Sequence, residues 1–592
     1  MPVQRPEKKH VTVAIRPGLM SEATQRDADN RWWTGLNVRF RKGWPEKVGG
    51  WADAEPGSTV TGNPRQIFDW VALDDTVWTA IGTHNHLYVY SNGAFSDITP
   101  LDDSGTLGTD PFTTTISSAE VSVADTTHNR AVGDYVVFDG AAEVGGITID
   151  GEYVITEVTD ANNYVITHTS SATSSATGGG AAVTYEYLIS SGLSVATQVG
   201  GYGSGGYGEG GYGEPSDTGV TSEPRIWCFD NWGEDLIAGV RGGNVYVWDL
   251  SAGVSTRATL IANAPTGIGW LKVSDNRQLV VFGGNGDPLL IAWSDEEDYT
   301  DFTPSSTNAA GDLRLDQGGR IITAHQGRSE MVVWTDVSVH AFRPQAAPFY
   351  WGLDAVAQGM KIAGPNAGVI VEGIAYFMGS EDFHIYDGVA RVLPCEIRNM
   401  VFGDINRFAL PHIYVGLNSD FTEIWWCYPT ADSNENDRVA VFNYVEGTWT
   451  LYAMERTCFH DSSSQFRKPY GMSTSGSLYK HESGYDDDTS ELTGYLESYF
   501  AEIGEGDDFV FVDRAIPDFL EVGGTVNLTL KYRRYAQATA SEKGPYALTD
   551  TTEKVDTRLR GRQVATRLDF EGLNTYFRMG NWKLRIMQDG KQ

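Results

Sequence analysis

His84 and His86 stand two residues apart, so on an extended strand both imidazoles would face one side and could share a metal ion. No third ligand is apparent, and the surrounding Gly-Thr-His-Asn-His reads as a hairpin turn. Acidic runs at 27–30, 294–298, 432–437 and 486–488 lack the glycine and terminal glutamate of a calcium loop, so they read as solvated loops. Gly201, Gly203 and Gly206 satisfy a GxGxxG pattern, but no strand precedes them and no helix follows. That match is a by-product of the Gly/Tyr-rich tract at 200–215, which has no packable face. No GxSxG elbow surrounds any serine, and nothing singles out two of the 78 acids as a glycosidase pair. The sequence thus offers no catalytic, cofactor or metal site, and the expectation is that the chain is not an enzyme.

What the sequence does carry is a repeat. Each copy is a short apolar strand, a Gly/Asn/Asp-rich turn, and an alternating strand that ends on an aromatic: Tyr90, Trp248, Trp293, Phe342, Tyr386, Phe442 and, most weakly, Tyr479. Period-2 alternation around such turns is the hairpin pattern. From Trp248 onward the aromatics are 45, 49, 44, 56 and 37 residues apart. Repeats of about 40–50 residues with several short strands each suit propeller blades, with the aromatic filling the wedge between neighbours. A β-sandwich with accidental spacing is the competing reading. Trp248-Asp249 matches the WD dipeptide, but the other copies lack it.

Composition agrees. The chain has 67 Gly, 17 Trp, 28 Tyr and 24 Phe in 592 residues, and no long segment with helical periodicity. The expected fold is all-β: a propeller of about six to eight blades, with an inserted small β-domain and a C-terminal β-sandwich-like module. The expected parts are N-terminal strands with the first blade (1–102), the insertion ending in the Gly/Tyr tract (103–222), the remaining blades (223–493) and the C-terminal module (494–592). No stretch nears the roughly 20 apolar residues of a membrane helix. The N-terminus lacks the apolar core of a secretory signal, and four dispersed cysteines read as buried thiols made in a reducing cytoplasm. The formal charge of −34 argues against a surface that grips nucleic acid through its phosphates. The charge is uneven: residues 510–592 hold 14 Lys and Arg against 10 Asp and Glu, a net +4, which leaves −38 on the rest.

Three stretches carry a resemblance. Residues 31–51 read RWWTGLNVRFRKGWPEKVGGW; the Gly/Tyr tract leads into RIWCFDNWGEDLIAGVRGGNVYVWD at 225–249; and RLRGRQVATRLDF at 558–570 is followed by MGNWKLRI at 579–586. Together they resemble the tail nozzle, or stabilisation, proteins of short-tailed bacteriophages. The resemblance implies a virion protein assembled in the host cytoplasm, a homohexameric ring below the portal and adaptor rings. It implies contacts with the head–tail connector, with tail fibre or needle proteins, and with the host envelope. Genomic DNA would pass through the lumen without sequence-specific binding, supporting retention and ejection, and no cofactor or enzymatic step is implied. On that reading the acids Asp295, Glu296, Glu297, Asp298, Asp486, Asp487, Asp488, Glu505, Asp507 and Asp508 are candidates to line the channel and repel phosphate. Two alternatives stand beside it: a receptor-binding, carbohydrate-binding propeller adhesin of a phage, and a propeller hydrolase acting on host polysaccharide.

Overall fold

The computed structural model describes residues 8–28, 30–196, 223–347, 349–503 and 508–591. Its secondary structure is almost entirely strand, and one short α-helix, Arg398–Phe402, occurs among the described residues. The Gly/Tyr tract with its GxGxxG match lies outside them, as do Glu505 and Asp507. Among the described residues, no helix is long and apolar enough to cross a membrane.

The repeat resolves into seven four-stranded antiparallel meanders of propeller type. Six run in simple chain order, with first strands Pro64–Val71, Trp227–Trp232, Trp270–Val273, Ile321–Gln326, Gly368–Val371 and Tyr414–Asn418. The seventh takes Cys458–His460, Tyr470–Met472 and Leu478–His481 from one end of the chain and its fourth strand, Trp51–Asp53, from the other. The seven repeat aromatics all fall on the third strand of their meander, as the spacing predicts. Six are buried and Tyr479 is half-buried. Trp248 shows their use: its ring packs on Trp78 and Trp70 of the preceding meander, at 5.4 and 6.4 Å between centroids.

Two compact units divide the chain. Residues 60–324 and 345–350 hold the first three meanders and the insertion. The insertion is an eight-stranded antiparallel sheet from Leu101–Thr106 to Thr184–Leu188, with its own core around Phe112, Phe138, Tyr164 and Tyr187. The insertion is tied down as well as separable: Ile189 joins the core of the first two meanders with Trp227 and Leu87. Residues 1–59, 325–344 and 351–592 form the other unit. Here the C-terminal module is two sheets. One orders Lys9–Val13, Trp582–Lys591, Asp508–Ile516 and Val555–Gly561; the other includes Phe519–Arg533 and Gln563–Met579. Both recruit N-terminal strands, Lys9–Val13 to the first and Arg16–Leu19, Arg31–Leu36 and Trp44–Lys47 to the second. The N-terminal strands therefore belong with the C-terminal module, whereas the sequence reading grouped them with the first blade. Pairings across more than 500 residues leave no local signal.

Candidate functional site

The turn Thr83–His86 sends its two histidines apart. The Thr83 hydroxyl accepts the His86 backbone N–H at 2.8 Å, which tightens the turn. His84 accepts the Asn63 backbone N–H through Nδ1 at 2.9 Å and lines a cavity of about 800 Å³. His86 is fully buried, with Nε2 3.1 Å from the Glu152 carboxylate of the insertion. The donor atoms of His86, Asp97 and Glu152 all lie within 4.8 Å of one another, so the third ligand missing from the sequence comes from a distant strand. This donor set is imperfect for a metal. Arg257 already binds Asp97 at 3.0 Å, and Nδ1 of His86 meets no hydrogen-bond partner that would orient a ligating imidazole.

The cavity lies wholly in the unit that holds the insertion, among loops of the insertion and of the second and third meanders. Its charged lining is three arginines and one acid: Arg225, Arg241, Arg320 and Glu223. Glu223 is shared by Arg241, at 3.0 Å, and by Arg320. Burial alone would raise the Glu223 pKa, but the two guanidinium groups outweigh it and hold the carboxyl below its ordinary value. Arg241 also donates to the carbonyls of Gly269 and Ile322 at 3.1 and 2.7 Å. Arg225 differs. Its Nη1 is buried without a hydrogen-bond partner, and burial pushes its pKa down to about 10, against a weak opposing pull from Tyr246 and Asp134. The Ser191 hydroxyl, in the same lining, is also buried without a partner. Glycines floor much of the rest; Gly242 and Gly267 hold φ of 76° and 67°. Arg225 and Arg241 stand within the 225–249 stretch, but it reads as strands and turns, and nothing in the sequence joins them to Arg320 or Glu223.

The motif at 31–51 is committed to packing. Arg39 is fully buried and donates to both Glu423 oxygens at 3.0 Å and to Glu482 at 2.6 and 2.9 Å, with Phe421 against its face. Burial opposes its charge, yet the two carboxylates hold it well above its ordinary pKa. Asn37, at φ 59°, donates to the Thr493 carbonyl and accepts from the Ala453 N–H. Lys47 donates to the Tyr485 and Thr575 carbonyls, both at 2.8 Å, and burial brings its pKa down to about 8. Gly50 is required because a Cβ there would overlap the Asp486 backbone.

The predicted acids scatter. Asp295 accepts the Ala309 N–H, Glu297 pairs with Arg277 at 3.0 Å, and Asp298 accepts from Thr300, while Glu296 is exposed. Asp486 accepts the Asn574 N–H, Asp487 the Trp51 indole N–H, and Asp488 the Asp53 N–H. Asp508 is buried and accepts from Gln588, so it presents no carboxylate to solvent. Three of the four cysteines, Cys228, Cys427 and Cys458, are buried; burial lifts the Cys228 and Cys427 thiols to about 12 and keeps them inert.

No family model matches the sequence, and no curated protein matches it. Among solved structures, the chain is similar to a phage phi92 endosialidase, at 10% identity and a TM-score of 0.19 over 72% of this chain and 64% of that one. It is also similar to an exo-β-1,3-galactanase from Phanerochaete chrysosporium, at 9% identity and 0.24 over 91% and 99%. The N-terminal domain of Nup159 matches at 12% identity and 0.28 over 44% and 76%. Two of these three are named as enzymes, and the expectation that the chain is not an enzyme is withdrawn on that finding. At such TM-scores the likeness carries no reaction or substrate to this chain; what stands is an all-β propeller fold.

Proposed function

We propose that this chain is a structural propeller subunit of a short-tailed phage tail, of the nozzle kind, which assembles with itself into a ring that extends the DNA channel. The observation that supports it is the fate of the 31–51 motif. Arg39, Asn37, Lys47 and Trp51 are all spent on joining the N-terminal strands, the last meanders and the C-terminal module into one body. A motif whose polar groups are consumed internally serves a rigid wall. Ring closure demands two different complementary faces on each subunit. A homohexamer, the connector, fibres or needle as neighbours, and DNA as passing cargo complete this reading. Electron microscopy of the purified protein and of the virion tests it: a ring at the tail is expected, and a stable monomer absent from the tail axis would refute it.

A second reading, a carbohydrate-binding propeller of a phage tail, is favoured by the cavity around Arg225. Its size is in the range of small-ligand sites, roughly 300–1,000 Å³. The names of the solved structures sit nearer this reading than the first. Binding of glycans by the full-length chain on an array tests it; no binding to any glycan would refute it.

A further inference from the structure

We infer that the cavity around Arg225 binds an oxyanion, and that its ligand is the carboxylate of an acidic sugar. This inference rests on the carbohydrate-binding reading and specifies its ligand class.

The first argument is charge balance. The protein as a whole carries −34, yet the side chains lining this cavity sum to +2, because only Glu223 opposes three arginines. The second is partnership. Glu223 is used twice over, by Arg241 and Arg320, so it leaves nothing for Arg225. A buried guanidinium without a carboxylate is costly, since desolvation is not returned by pairing. The protein tolerates that cost at the Nη1 of Arg225, and the Ser191 hydroxyl of the same lining is likewise buried without a partner. Two unsatisfied donor groups in one cavity wall are complementary to one acceptor-rich anion. A planar guanidinium matches a carboxylate in two-pronged geometry, and desolvation strengthens the pair. The third argument is the remaining lining. Tyr135, whose hydroxyl accepts from the Asn85 amide at 3.0 Å, is part of that lining, and the glycine-rich floor leaves room for a pyranose rather than for an ion alone.

The test is isothermal titration of the full-length chain with four probes: sialyllactose, a glucuronic-acid disaccharide, lactose and inorganic phosphate. Expected is binding of at least one acidic sugar, with lactose silent. Arg225→Gln should weaken it at least tenfold, while Arg225→Lys retains part of it. Arg225→Gln should also leave Tm unchanged or raise it, because it removes an unpaired buried charge; this separates lost binding from lost folding. If phosphate binds as well as the sugars and depends on Arg225, the oxyanion site stands and the sugar assignment falls, and the carbohydrate reading with it unless glycans bind elsewhere. If lactose or array glycans bind equally well to wild type and Arg225→Gln, the carbohydrate reading survives and this site is overturned. No Arg225-dependent binding of any anion overturns the inference outright.

Discussion

Arg39→Ala is the sharpest perturbation available, because Arg39 is bonded to two carboxylates that are themselves almost fully buried. Its side chain and that of Glu423 are each 2% exposed, and Glu482 is 12% exposed. Removing one partner of such a group strands the others; breaking a buried pair in this way costs about 3–5 kcal/mol. Burial already holds the Glu423 pKa above its ordinary value even with Arg39 present, so the variant would take up a proton there instead of keeping two anions. The cost should fall on the strands that Arg39 links, Val38–Arg41 and Glu423–Tyr428. A 592-residue chain does not melt in one two-state step, so the assay should be local. Hydrogen exchange of peptides spanning 36–48, 420–430 and 478–498 reads opening directly. At tenfold per 1.4 kcal/mol, about 3 kcal/mol corresponds to a rise of at least about a hundredfold in exchange. Arg39→Met combined with Glu423→Gln and Glu482→Gln removes every charge while keeping acceptors for Trp425 and Asn418, and should restore most of the protection. A single variant whose exchange rises less than about fivefold, below roughly 1 kcal/mol, would refute the claim that this triad holds the unit together.

Trp248→Ala should cost about 3–5 kcal/mol, as a fully buried indole that also donates to the Thr256 carbonyl, checked by hydrogen exchange of a peptide spanning 235–250. The Lys8–Asp513–Arg585 cluster, at 2.9 and 2.6 Å, holds the Asp513 pKa at about 2, below its ordinary 3.8. A depressed carboxylate stabilises above its unfolded value and loses that contribution as pH falls through the folded one. Docking of Lys9–Val13 should therefore weaken between about pH 4 and pH 2, and Asp513→Asn should abolish that pH dependence in hydrogen exchange. On the channel reading, charge should be removed from Asp295 and Asp298 with Asn and not Lys, because both carboxylates accept turn hydrogen bonds that Asn preserves. The expected outcome is normal assembly with altered ejection, greatest at low salt; unchanged ejection kinetics would leave solubility as the account of these charges.

The meanders were legible because hairpins are local: alternation, a turn and a terminal aromatic lie within about twenty residues of one another, and the aromatics land on equivalent third strands. The insertion was legible for the same reason. What escaped was everything set by pairing between distant segments. Trp51–Asp53 looks like a continuation of the N-terminal strands, yet it completes the seventh meander beside Leu478–His481. His86 has no third ligand in its neighbourhood, yet Glu152 meets it from the insertion. Asp508 reads as part of a solvated acidic run, and its burial follows from its pairing with the C-terminal strand Trp582–Lys591.

The same distinction bears on where function resides. The 31–51 motif drew attention because its residue types are unusual and closely spaced, and Asn37, Arg39, Lys47 and Trp51 each have an internal partner. Arg225 opens the 225–249 stretch and has, in the fold, no acceptor for its buried Nη1. A polar group that the chain satisfies from within is explained by folding alone. One left unsatisfied at a cost calls for an explanation, and the lining of the Arg225 cavity includes two such groups, on Arg225 and Ser191. The 31–51 motif and the Arg225 cavity fall in different units, so the two proposed roles, scaffold and binding, are compatible. The Arg39 and Arg225 variants separate them: the first should loosen the scaffold with the cavity intact, and the second should silence the cavity with the scaffold intact.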